Sequence, residues 1–136
     1  MQEKLLIFLI DDDVDDHEVF SIALEDILPL AECVFALDGF YALQKINDDA
    51  DFSPNFIFID INMPRMNGIQ CLKEIKKIPH LKHIPIYMYS TSAEPPIVEE
   101  CINSGACGFI KKEVSIADLQ NKLCEIFLNI QLLPNK

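Results

Sequence analysis

Apolar residues gather in short dense runs that stop at a polar residue, and between the runs they recur at intervals of three and four. The run from Lys4 to Ile10 ends abruptly at Asp11, as a strand buried on both faces of a sheet would. Between Val14 and Leu28, Phe20, Ala23, Leu24 and Ile27 keep the i, i+3, i+4, i+7 spacing of an amphipathic helix, and Pro29 stands where that helix would end. Glu32 to Ala36 predicts a second strand. Asp38-Gly39 punctuates the chain before a helix with Phe40, Leu43 and Ile46 on its apolar face, closed by Ser53-Pro54. Asn55 to Asp60 is again an apolar run closed by an aspartate. Ile61 to Gly68, with Met63-Pro64 inside it, predicts a loop, and Ile69, Leu72 and Ile75 mark a helical face before Pro79. Ile84 to Tyr89 predicts a fourth strand, which leads into Ser90-Thr91-Ser92. Glu94 to Ser104 opens with Glu-Pro-Pro, which suits a helix start, although its apolar face (Ile97, Cys101) is thin. Cys107 to Ile110 predicts a fifth strand. Ser115-x-x-Asp118 has the form of a capping box, opening a helix with Ile116, Leu119, Leu123, Ile126, Phe127 and Ile130 toward the core.

Strands alternating with helices predict an α/β domain: a doubly wound five-stranded parallel sheet with helices on both faces, because right-handed crossovers force that arrangement. In the flavodoxin-like (βα)5 order 2-1-3-4-5, the ligand site lies at the carboxyl ends of strands one and three, where strand order reverses. Those ends carry Asp11-Asp12 and Asp60, so three carboxylates are expected to converge.

Composition narrows the function. With 136 residues, 50% of them hydrophobic and 24% charged, the chain suits one domain with a sizeable core. The formal charge of −11 repels nucleic-acid phosphates and anionic lipid, so neither partner is expected. Cys33, Cys71, Cys101, Cys107 and Cys124 are odd in number and lack a C-x-x-C pair, which speaks against a disulfide framework and against zinc. They are expected to be buried thiols in a reducing, cytoplasmic setting. Met1-Gln2-Glu3-Lys4 has no signal-peptide character, and the longest apolar run falls far short of the ~20 residues that span a bilayer.

The acidic run Asp11 to Asp16 carries the candidate chemistry. Two of its carboxylates follow a buried strand, where desolvation penalises clustered negative charge and a hard cation would relieve it. Mg²⁺ suits best, since it takes one or two carboxylates and keeps room for a phosphate oxygen. Asp13, Asp15 and Asp16 are assigned to capping and charging the helix N-terminus. Asp11-x-Asp13-x-Asp15 is not a calcium loop, because the sixth and twelfth positions hold Asp16 and Ile22 in place of glycine and glutamate. There is no phosphate-binding G-x-x-x-x-G-K-[ST] loop, and Gly105-Ala106-Cys107-Gly108 is no dinucleotide fingerprint. His17, His80 and His83 form no ligand spacing and are expected at the surface.

These residues resemble the receiver domain of two-component response regulators, and in particular its single-domain chemotaxis-regulator form, over essentially the whole chain. Asp11-Asp12, the loop Asp60-Ile61-Asn62-Met63-Pro64-Arg65-Met66-Asn67-Gly68, Ser90 and Lys112 match in order and spacing the family's acidic pair, phosphoacceptor loop, hydroxyl and lysine. The resemblance implies that Asp60 takes a phosphoryl group from a sensor histidine kinase or a histidine phosphotransfer protein. It implies Mg²⁺ held by Asp12, Asp60 and the Asn62 backbone carbonyl, with Asp11 acting through water. Lys112 and Ser90 would contact phosphoryl oxygens, and Phe109 would stand at the rotating aromatic position of the switch.

The output implied is a change in protein contacts on the face of the fourth helix, fifth strand and fifth helix, with homodimerisation left open. No external product is expected, only self-catalysed phosphorylation and dephosphorylation. Glu113 departs from the family's proline, which puts the geometry of the Lys112-Glu113 peptide in question and a negative charge near the site. Only Leu132 to Lys136 follow the last helix, so a single receiver spanning 1–136 without an output domain is expected. Two rivals remain: a pseudo-receiver that binds partners without phosphorylation, and an aspartyl-phosphate phosphohydrolase. The second usually needs a D-x-D pair, which Asp60-Ile61-Asn62 lacks.

Overall fold

A computed structural model describes residues 4–112 and 115–132. In chain order the elements are β1 Leu6–Ile10, α1 Val14–Ile27, β2 Glu32–Ala36, α2 Gly39–Asp48 and β3 Phe56–Ile59, then α3 Gly68–Lys76, β4 Ile86–Ser90, α4 Pro95–Asn103, β5 Gly108–Lys111 and α5 Ile116–Leu132. The strands form one parallel sheet in the order β2-β1-β3-β4-β5, as expected.

Alternation along each strand divides the core into two layers. Phe8, Ile10, Ile57, Ile59, Ile86 and Met88 pack with Ala42, Ile46, Leu72, Ile75 and Cys101 of α2, α3 and α4. On the other face Ile7, Leu9, Phe56, Phe58, Tyr89 and Ile110 pack with Phe20 and Leu24 of α1 and Leu119, Leu123 and Phe127 of α5. Gln120 ties α5 to α1 by donating to the Asp26 carboxylate at 2.9 Å.

Several boundaries move. β4 begins two residues later than expected, after Pro85, and includes Ser90. Phe40 leaves the predicted core face and is 48% exposed, because the buried stripe of α2 runs through Gly39, Ala42 and Ile46; the Arg65 guanidinium lies 5.0 Å from its ring centre. Ile116 is also exposed, and Cys107 and Cys124 are exposed where buried thiols were expected; all five cysteines are free. The Ser115 hydroxyl accepts from the Asp118 N–H at 3.1 Å, the first half of the predicted capping box. The Ile130 side chain and the Lys112-Glu113 peptide lie outside the described residues. Among the described residues no helix is long and apolar enough to cross a membrane.

Candidate functional site

Ladder hydrogen bonds carry three strands one residue past their ends. The Asp11 N–H donates to the Ala36 carbonyl at 3.0 Å, Asp60 to Ile10 at 2.8 Å and Lys112 to Ser90 at 2.8 Å. Asp11 continues the alternation of Ile7 and Leu9, Asp60 that of Phe56 and Phe58, and Lys112 that of Ile110, so all three belong to the α1–α5 side of the sheet. The period that builds the core therefore also gathers the charged groups.

The Lys112 ammonium lies 2.5 Å from Asp16 Oδ2, 3.0 Å from Asp11 Oδ2 and 3.5 Å from Asp60 Oδ2, with the Tyr89 ring 5.3 Å away. Burial alone would push this ammonium down, but the Asp16 and Asp11 carboxylates outweigh it and hold Lys112 charged. Asp60 is 5% exposed. Burial, followed by the neighbouring charge of Asp11, pushes its carboxyl up to about 7 against the pull of Lys112. Burial likewise raises Asp11, although the Asp13 N–H and Lys112 oppose it.

One carboxylate oxygen each from Asp11, Asp12 and Asp60 lies within 4.8 Å of the other two. Asp11 Oδ1 accepts from the Asp13 N–H at 3.0 Å, whereas Asp11 Oδ2 is buried and, among the described residues, has only the Lys112 ammonium beside it, 3.0 Å away, in an ion pair without hydrogen-bond geometry. A buried carboxylate oxygen so sparsely satisfied, next to two further carboxylates that share one lysine, is the environment a hard divalent cation fits. Asp12, Asp60, Asn62 and Lys112 line an open depression with Asp13, Val14, Asp16 and Thr91.

Ser90 and Phe109 do not join this group. Ser90 is fully buried at the end of β4, where among the described residues its hydroxyl accepts only a long 3.4 Å bond from the Ser92 N–H. Phe109, paired in register with Met88, packs half-buried against the α2–α4 layer.

Two residues that sequence reasoning assigned elsewhere belong to the site. Asp13 is the α1 N-cap, accepting from the Asp15 N–H at 2.9 Å, and Asp16 lies in the acidic first turn as expected, but its carboxylate also faces Lys112. His17 is buried, not superficial: its Nε2 is 2.6 Å from the Asp11 carbonyl, which accepts the bond, and its ring stacks on Phe35 at 4.6 Å. The signal was present. Asp16 stands four residues before Phe20 and His17 three before it, so both fall on the inward stripe of α1.

The loop after β3 is pinned from two sides. Arg65, in the left-handed region at φ 67°, pairs with the buried Asp38 carboxylate and stacks over Phe40 and Tyr41, which offsets the backbone strain. Asn67 and Gln70 form a reciprocal capping box, each bond 2.9 Å, that fixes the start of α3 against Asp60.

Residues 7–124 match the family described as the response regulator receiver domain. The chain is 32% identical to the chemotaxis protein CheY-3 of Vibrio cholerae over 93% of its length and 95% of that protein. It is 28% identical to the two-component response regulator ARR17 of Arabidopsis thaliana, over 93% of this chain and 87% of that one. Among solved structures, the phosphorylated cyanobacterial phytochrome response regulator RcpA superposes with a TM-score of 0.84 at 28% identity, over 98% of this chain and all of the other. The Mn²⁺-bound form of response regulator Rcp1 superposes with a TM-score of 0.81 at 25% identity, over 96% of this chain and 99% of that one. Sequence, sheet order and the cluster of carboxylates agree: the chain belongs to the response regulator receiver domain family, whose members act in phosphorelay signalling.

Proposed function

We propose that Asp60 is the phosphoacceptor of a receiver that switches protein contacts. The observation that carries this reading is a buried Asp60 carboxylate held 3.5 Å from Lys112 beside the acidic pair, at the open end of the sheet. An Asp60 oxygen attacks the phosphorus of a phosphohistidine on a kinase or phosphotransfer protein; the new P–O bond forms as the P–N bond breaks and the electron pair leaves with the imidazole. Lys112 stabilises charge on the phosphoryl oxygens as a point charge. Asp11, Asp12 and Asp60, with the Asn62 carbonyl, would hold Mg²⁺, which when bound supplies positive charge against the developing negative charge of transfer. The Mn²⁺-bound and phosphorylated relatives support this reading.

Ser90 and Phe109 then act downstream. The weakly held Ser90 hydroxyl is drawn toward a phosphoryl oxygen, the loop after β4 follows, and Phe109 turns into the space it leaves, which alters the α4–β5–α5 face offered to a partner. The protein then catalyses only its own phosphorylation and dephosphorylation.

Acetyl phosphate and intact mass test the reading. With Mg²⁺ the wild type gains one phosphoryl group, and in chelator it gains none. Asp12→Ala, which removes an exposed ligand without disturbing the core, slows uptake at least about tenfold. Uptake by Asp12→Ala at the wild-type rate, or uptake in chelator, contradicts it.

A further inference from the structure

We infer that Asp16 is a positioning residue that holds Lys112 back from Asp60, so that its carboxylate opposes the phosphorylated state. The inference rests on the proposed role of Asp60 and concerns a residue that the sequence reading treated as a helix-end charge. The Lys112 distances are ordered against Asp60: 2.5 Å to Asp16, 3.0 Å to Asp11 and 3.5 Å to Asp60. Asp11 and Asp60 sit at strand ends, whereas Asp16, which also lines the depression, reaches the ammonium from α1.

Asp16 cannot easily follow Lys112. One turn later Phe20 is fully buried, edge-on to Phe58 at 5.1 Å and to Tyr89 at 5.7 Å. His17, the next residue, bonds the Asp11 carbonyl at 2.6 Å. The first turn of α1 is thus fixed to the sheet, and the flexible partner is the long lysine side chain. An ammonium has three donors and no preferred plane, so it can be shared, but its shortest bond here goes to the wrong carboxylate for phosphoryl transfer. A phosphoryl group on Asp60 must draw Lys112 toward itself and away from Asp16. The Asp16 bond is therefore stronger in the unphosphorylated state, and such a difference is what moves a two-state equilibrium.

The test is the affinity for beryllofluoride, a phosphoryl mimic, measured by isothermal titration with Mg²⁺ present. Asp16→Asn keeps the shape and removes the charge, and should bind about tenfold tighter, the size of one charge-assisted hydrogen bond of this kind. Asp16→Ser should move in the same direction. Asp16→Glu, which restores a carboxylate, should stay within about threefold of the wild type by the same reckoning. Asp13→Asn separates the specific bond from the general field, since Asp13 lines the same depression without touching Lys112 and asparagine keeps the N-cap. Its effect should stay below about threefold, as expected for an exposed charge. Wild-type affinity in both Asp16→Asn and Asp16→Ser, or an Asp13→Asn effect equal to theirs, overturns the role of Asp16 and leaves Asp60 as acceptor. A wild type that binds no beryllofluoride overturns both.

Discussion

Without divalent metal at pH 8, Asp60→Asn is expected to be more stable than the wild type by about 2 kcal/mol in urea unfolding. The Asp60 carboxyl has an ordinary value of 3.8 and is pushed up to about 7 by burial and by Asp11. Between those values the unfolded chain releases a proton that the folded chain keeps. The folded state binds more protons there, so wild-type stability falls as pH rises from about 4 to about 7 and stays reduced above it. That interval, in which the attraction of Lys112 is already included, corresponds to at most about 4 kcal/mol, and the gain is smaller because the asparagine amide must itself be desolvated in the same buried place. Asparagine does not ionise, so the advantage of the variant should shrink toward zero near pH 4. Mg²⁺ should narrow the gap at pH 8 by stabilising the wild type more than the variant. A variant less stable than the wild type at pH 8 would mean that the pairing with Lys112 outweighs burial.

Gly68→Ala is expected to destabilise the fold by about 3 kcal/mol and to slow phosphoryl uptake by about a hundredfold. A Cβ on Gly68 would lie 2.2 Å from the Asp60 carbonyl oxygen, 2.7 Å from Ile61 Cα and 2.8 Å from the Asp60 carbonyl carbon. All three are backbone atoms, so no side chain can rotate away. The Gly68 N–H donates to the Ile61 carbonyl at 2.8 Å, and the Asn67–Gln70 capping box holds the start of α3 at this spot. Relief requires that α3 or the backbone of Asp60 shift, and either displaces the Asp60 carboxylate relative to Lys112. Urea unfolding with acetyl phosphate labelling checks both effects; wild-type uptake in a destabilised variant would separate the packing from the site.

How much of this could be read from the chain depends on how local each cause is. Sheet order and strand placement follow from apolar runs and alternation, and an aspartate that ends a buried run marks a strand end, so Asp11 and Asp60 were legible. Lys112 was legible only through family resemblance, since one lysine after a short strand carries no pattern of its own. Asp16 escaped because acidic residues are common in a first helical turn, and its partner is 96 residues away. His17 escaped because histidine suits the surface as well as the core, although its spacing to Phe20 and Leu24 placed it inward. Helical spacing alone puts Phe40 inward with Leu43 and Ile46, but α2 buries Gly39, Ala42 and Ile46, and the Arg65 guanidinium beside the Phe40 ring is a contact no local pattern encodes.

The most direct test of Asp60 as phosphoacceptor is to label the wild type with acetyl phosphate and Mg²⁺, reduce it with borohydride and map the peptides by mass spectrometry. Reduction of an aspartyl phosphate leaves homoserine at the modified position and nowhere else. Homoserine at position 60, and at none of Asp11, Asp12, Asp13, Asp15 and Asp16, is the expected result. Homoserine at any of those five, or a labelled protein with an unaltered Asp60, would contradict it.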